Sequence, residues 1–129
     1  MNLTDEQIDA MEAGLELDAL MAECVMGWKS GGKSNSGNAF FPKQDGDRIG
    51  RGKENWRFHP WDPSSDISSA WRVAEHVMAH PGVFASELLM MDNKRFGIYL
   101  GDDEVVSAYA DTAPLAICRA ALKWARRRA

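Results

Sequence analysis

The stretch "GWKSGGKS" at 27–34 has the spacing of a phosphate loop, G-x-x-x-x-G-K-S. In that chemistry glycine N–H groups surround a nucleotide's phosphates, the lysine neutralises them and the serine meets magnesium. It needs a strand before the loop and a helix after it. Here helical periodicity precedes the glycine and polar residues follow, so the match reads as a Gly/Lys/Ser loop that fits by chance. His76 and His80 are one helical turn apart, the spacing of a metal-binding pair. Their side of the predicted helix lies away from its apolar face, and His59 alone could approach as a third ligand. Both read as solvated surface, and no metal is expected. A nucleophilic cysteine needs an accessible thiolate near a base. Cys118 falls on the packing face of the predicted last helix and reads as core. No catalytic residue is assigned and no cofactor is expected.

Three charged groups remain as binding candidates. "GKENWRFHPW" interleaves Lys53, Trp56, Arg57, Phe58 and Trp61, a surface that can stack a base and neutralise its phosphate. The competing reading folds these aromatics back over the core. Asp5, Asp9, Glu12 and Glu16 form an acidic stripe that could meet a basic groove on a partner, or stay a solvated helix face. Arg119, Lys123 and Arg126 make a basic edge on the last helix, expected to be solvated and able to hold a nucleotide.

These groups reflect a segregation that the net charge of −4 hides. Residues 1–27 carry seven acids and no Lys or Arg, whereas 119–128 carry five bases and no acid. Such a split can hold one helix against another or present two separate binding surfaces. With 129 residues, 45% of them hydrophobic, the chain suits one globular domain at 1–129, large enough to bury a core without staples. The acidic N-terminus does not resemble a signal peptide, and no apolar run approaches a membrane span. The expectation is a cytoplasmic protein with Cys24 and Cys118 reduced.

The elements that position these groups follow from periodicity. "LTDEQI" places Thr4 at an N-cap with Gln7 three residues on, a capping box, stapled by Leu3 and Ile8. Ile8, Met11, Leu15, Ala19, Ala22 and Met26 then repeat at helical spacing up to Gly27, predicting one continuous helix. Leu17, Leu20, Met21 and Cys24 widen its apolar arc, so it is buried from two sides or against a partner subunit. Residues 28–64 read as a long irregular stretch, a basic and aromatic insert at about 29–62, with a short strand at "ENWRFH". A second helix begins at Ser65 as N-cap and presents Ile67, Ala70, Trp71, Ala74, Val77 and Met78 to the core. Strands follow at 83–91, "RFGIYL" and "VVSAYA", joined by turns short enough to imply an antiparallel meander. Thr112 caps the last helix, with Pro114 in its first turn. Leu115, Cys118, Ala121, Leu122 and Ala125 line one face of it, extended by Ile117 and Trp124. The fold class is α+β: a three-layer α/β/α sandwich with three helices and an antiparallel sheet of three to four strands.

Three segments, "AMEAGLELDALMAECVMGW" (10–28), "PSSDISSAW" (63–71) and "ADTAPLAICRAAL" (110–122), together resemble the phage ABA-sandwich domain family. The resemblance implies a helix–sheet–helix sandwich and a phage or prophage origin, and it implies no reaction. The insert is longer and more basic than the family pattern. The resulting expectation is a non-enzymatic accessory protein in the host bacterial cell. It binds a host or phage protein, with inhibition of a host defence complex, in the manner of an anti-CRISPR protein, as the concrete form. The alternative is an oligomer that binds or sequesters a small molecule such as a nucleotide signal. Nucleic acid and a second copy of the chain are the other partners considered. A membrane is not expected, and an enzyme ranks last.

Overall fold

The structure is a computed structural model that describes residues 2–27, 29–34, 37–41, 61–80, 83, 85–91, 95–101 and 105–128. Its elements in chain order are α1 (Asp5–Asp9), α2 (Leu15–Leu20) running into a π-helical turn (Met21–Val25), β1 (Lys29–Ser34), β2 (Gly37–Phe41), α3 (Ile67–Met78), β3 (Ala85–Met91), β4 (Arg95–Gly101), β5 (Val105–Ala110) and α4 (Ala113–Arg128). The chain is α+β, and a helix–sheet–helix sandwich fits it in general terms. Among the described residues the counts differ from expectation: four α-helices stand where three are predicted, and the strands form a three-stranded sheet and a separate two-stranded one.

The extra helix arises because the N-terminal segment is broken. The capping box forms as its sequence demands: Gln7 N donates to Thr4 Oγ1 at 3.2 Å and Thr4 N donates to Gln7 Oε1 at 2.8 Å. The helix nevertheless stops after Asp9, and Gly14 starts the next one with φ 158° and ψ −174°. That region of backbone space is open essentially to glycine alone. In the π turn, Met26 N reaches back to Met21 O at 3.0 Å, and Gly27, with φ 73°, ends the helix in the left-handed conformation.

Residues 29–34 and 37–41 depart furthest from the irregular stretch read from sequence. They pair antiparallel, Lys29 with Phe41 and Ser34 with Gly37, with an irregularity between Ser30 and Lys33. The strand proposed at "ENWRFH" lies outside the described residues. The main sheet is the expected meander in the order β3-β4-β5. Its register sets Ile98 beside Ala108 and Phe96 beside Ala110 on one face. Ile98, Val106, Ala108 and Ala110 are buried there against α4.

The core organises around α4. Thr112 caps it, with Leu115 N donating to Thr112 Oγ1 at 3.3 Å. The predicted apolar face is buried, but so are Ala116 and Ala120, both at zero exposure, and Lys123. A helix covered this widely sits inside the domain, not on its surface. The sheet strands β4 and β5 flank it, and α1, the π turn and α3 pack on it as well. Ile8, Met21, Val73, Val77, Ile117 and Leu122 meet in the resulting core, each fully buried. Burial of such side chains stabilises by about 1.5–3 kcal/mol apiece.

The second predicted face is rotated. Asp66, not Ser65, caps α3, accepting from Ser69 N at 2.9 Å. Ala70, Val73, Ala74 and Val77 are buried, while Ile67, Trp71 and Met78 stand 48%, 45% and 36% exposed. Close approach of two helices favours small side chains at the contact. The bulkier apolar residues are left on the flank.

Candidate functional site

The basic edge of α4 is spent inside the chain. Arg119 donates from Nε (3.1 Å) and Nη2 (2.7 Å) to Met11 O, and from Nη1 to Tyr109 O at 3.0 Å. Lys123 Nζ lies 2.9 Å from Ser107 O and 2.7 Å from Asp9 Oδ1. Arg126 and Arg127 reach the two oxygens of Asp5 at 3.1 and 3.2 Å. One row of cations therefore fastens α1 and the segment after it. It also supplies charged donors to two carbonyls of β5, an edge strand of the three-stranded sheet. Natural sheets protect such edges by covering or charging them. The expectation of a solvated edge free to hold a nucleotide is corrected: Lys123 is buried and Arg119 and Arg126 are half-buried and bonded. Asp5 and Asp9 belong to the same internal pairs. Asp9 stays exposed within its pair, whereas Glu12 and Glu16 are exposed on either side of exposed Leu15.

A buried polar junction ties α2 to the segment before α3. Asp18 and Ser64 are 4% and 0% exposed. Ser64 N donates to Asp18 Oδ1 at 2.8 Å, Gly14 N donates to Ser64 Oγ at 2.9 Å, and Trp61 Nε1 donates to Asp18 O at 2.9 Å. Trp61 thus folds back over the core as a structural residue. Lys53, Trp56, Arg57 and Phe58, its companions in the basic aromatic insert, lie outside the described residues. Burial raises the Asp18 carboxyl above the ordinary value of 3.8, opposed by the bonds from Ser64, with Asp62 adding to the rise. Sequence reasoning passed over Asp18 and Ser64. The signal was present, because Asp18 falls on the apolar arc, between Leu17 and Met21.

This junction predicts a pH response. A carboxyl whose folded pKa is raised binds its proton more tightly in the native state than in the unfolded one. Stability therefore falls as pH rises from 3.8 through the raised value, then levels. Asp18→Asn keeps an acceptor for Ser64 N and removes this fall, so the stability difference between variant and parent grows in the variant's favour across that window. Asp18→Leu strands the buried Ser64 N–H and costs about 1–3 kcal/mol. Urea unfolding at several pH values measures both.

Asp18 also bears on Cys118. Burial, and secondarily the charge of Asp18, push the Cys118 thiol well above 9.0. With zero exposure it packs as the expected core residue and lacks the accessible thiolate of a nucleophile. His76 and His80 are half-buried, which corrects their reading as solvated surface. His80 Nδ1 lies 3.0 Å from His76 O, and its ring meets Trp124 edge-on at 4.7 Å. Burial and the neighbouring His80 lower the His76 pKa, against a bond to the Val25 backbone that raises it. Among the described residues no group of three or more His, Cys, Asp or Glu side chains could hold a metal. The phosphate-loop pattern lies largely on β1 and enters a hairpin, not a helix, so its backbone does not form the cradle that chemistry needs.

These observations define a small α+β domain organised on one buried helix, whose cations secure an acidic N-terminal turn and a sheet edge. The family model of the phage ABA sandwich domain matches residues 19–122, and the chain belongs to that family. No curated protein matches the chain. The three segments that carried the resemblance converge in space. Met11 and Asp18 come from the first, Ser64 from the second, and Cys118 and Arg119 from the third. Among the described residues no helix is long and apolar enough to cross a membrane.

Proposed function

We propose that the chain is a non-enzymatic accessory protein of a phage or prophage that acts in the host cytoplasm by binding a macromolecule. Inhibition of a host defence complex is its most concrete form. One observation carries the reading. Among the described residues, the groups singled out for chemistry on a small molecule (Arg119, Lys123, Arg126, Cys118, Asp18, His76 and His80) are engaged in holding the fold together. The nucleotide-binding alternative loses the α4 cations in the same way and is left with those of the insert. What remains for recognition is the acidic tip at Glu12 and Glu16 and the insert at about 29–62.

The test is purification of the tagged full chain from host cells, beside two variants. One carries Glu12→Lys with Glu16→Lys; the other replaces residues 42–60 with a Gly/Ser linker. The expected result is one partner in stoichiometric amount, lost from one variant and kept by the other. Recovery of no partner from any host, together with a nucleotide retained in native mass spectrometry, would replace this reading with the small-molecule one.

A further inference from the structure

We infer that the chain pairs with a second copy of itself through α3, packed antiparallel. Ile67, Trp71 and Met78 occupy helix positions that fall within about 40° of one another when projected down the axis. All three are exposed, on a helix whose other apolar residues are buried. They form a ridge beside the core-facing side, about 16 Å long. This surface is separate from the acidic tip and the insert, and it does not depend on the macromolecule-binding reading.

The occupant follows from symmetry and charge. In a two-fold antiparallel pair, each residue of one helix faces a position reflected through the midpoint. Ile67 and Met78 lie equally far from a midpoint between Arg72 and Val73. Ile67 of each copy then meets Met78 of the other, and the two Trp71 side chains lie beside each other, about 4.5 Å apart along the axis. Arg72 and Glu75 are both exposed; on the same projection they lie to one side of the ridge, Glu75 about 60° and Arg72 about 120° from its centre, so it is the length of the arginine that carries its charge toward a facing helix. Neither makes an ion pair or side-chain hydrogen bond among the described residues. The same two-fold sets Arg72 of one copy about 3 Å along the axis from Glu75 of the other, and does so twice. A parallel two-fold pair would instead set this flank against the partner copy's core-packed flank and leave both charges without an opposite. The ridge is therefore complementary to itself in shape order and in charge. A foreign helix would have to supply both patterns independently.

A pair built on one helix of this length buries less than the roughly 1,200–2,000 Å² of a standard stable interface, so a weak, concentration-dependent association is expected. Sedimentation velocity of the full chain over a concentration series tests it. The parent is expected to move from monomer to dimer mass as concentration rises. Trp71→Glu should remain monomeric. Arg72→Glu should weaken association at least tenfold, because both flanks then carry only acids. Arg72→Glu with Glu75→Arg should restore it to within a few fold of the parent. All three substituted residues are exposed, so melting temperatures should stay close to the parent's, and this checks that loss of pairing is not loss of fold. A parent that stays monomeric throughout, a dimer that persists in Trp71→Glu, or a double swap that associates no better than the single reversal would each overturn the inference.

Discussion

Ala120→Glu is expected to leave the chain unfolded at room temperature. Ala120 lies between the basic edge and the apolar face of α4, on neither of them by sequence pattern, and its exposure is zero. A carboxylate there would be taken out of water with no partner placed to receive it. The effective penalty is several kcal/mol whether the group stays charged or is forced to protonate. Domains of this size are stable by only about 5–15 kcal/mol in total. Ala120→Leu tests the packing alone and should cost about 1–3 kcal/mol by overfilling the site. Ala120→Gly should cost about 1 kcal/mol through helix propensity. Far-ultraviolet circular dichroism and urea titration distinguish these grades. A folded Ala120→Glu variant melting within a few degrees of the parent would mean that α4 has a solvated side after all, and the description of the core would fail with it.

Some elements were legible in sequence because their signals are local. The capping box at Thr4, the cap at Thr112, the stop at Gly27 and the three strands of the meander depend on residues within a few positions of one another, and each stands where it was placed. The errors share a different cause. Apolar spacing runs unbroken through Met11 and Leu15, so the pattern alone gives one long helix. The break between α1 and α2 is fixed from afar, by Arg119 on Met11 O and Ser64 on Gly14 N. In α3 the pattern weights bulky residues, whereas the contact with α4 uses Ala70, Val73, Ala74 and Val77. Glycine, serine and lysine at 29–34 carry little strand propensity, and the hairpin rests on pairing with 37–41. Composition cannot register such pairing. For the candidate site, the charge segregation was visible but its use was ambiguous. Only the ion pairs of Asp5 and Asp9 with α4 show that complementarity within the chain, and not an outward surface, consumes it.

That consumption makes Arg119 the most consequential polar side chain of α4. Its guanidinium joins three parts of the chain: its own helix, the segment after α1 through Met11 O, and β5 through Tyr109 O. Hydrogen bonds from a charged donor contribute about 1.5–3 kcal/mol each, and bonds that share one group do not add fully. Arg119→Ala should therefore lower stability by about 3 kcal/mol. Arg119→Lys should recover less than half of that loss, because one ammonium cannot reproduce the fork that grips Met11 O with two N–H groups. The Asp5 pairs provide the contrast. Arg126 and Arg127 are over a third exposed where they meet Asp5, so Asp5→Ala should cost no more than about 1 kcal/mol and its effect should shrink in salt. The Arg119 loss should be nearly independent of salt, because its acceptors are neutral carbonyls. Hydrogen exchange would locate it, with faster exchange at 10–14 and along β5 while the centre of α4 stays protected until global unfolding. If Arg119→Lys instead matched the parent in urea, point charge alone would suffice at this position, and the role assigned to the forked geometry would be wrong.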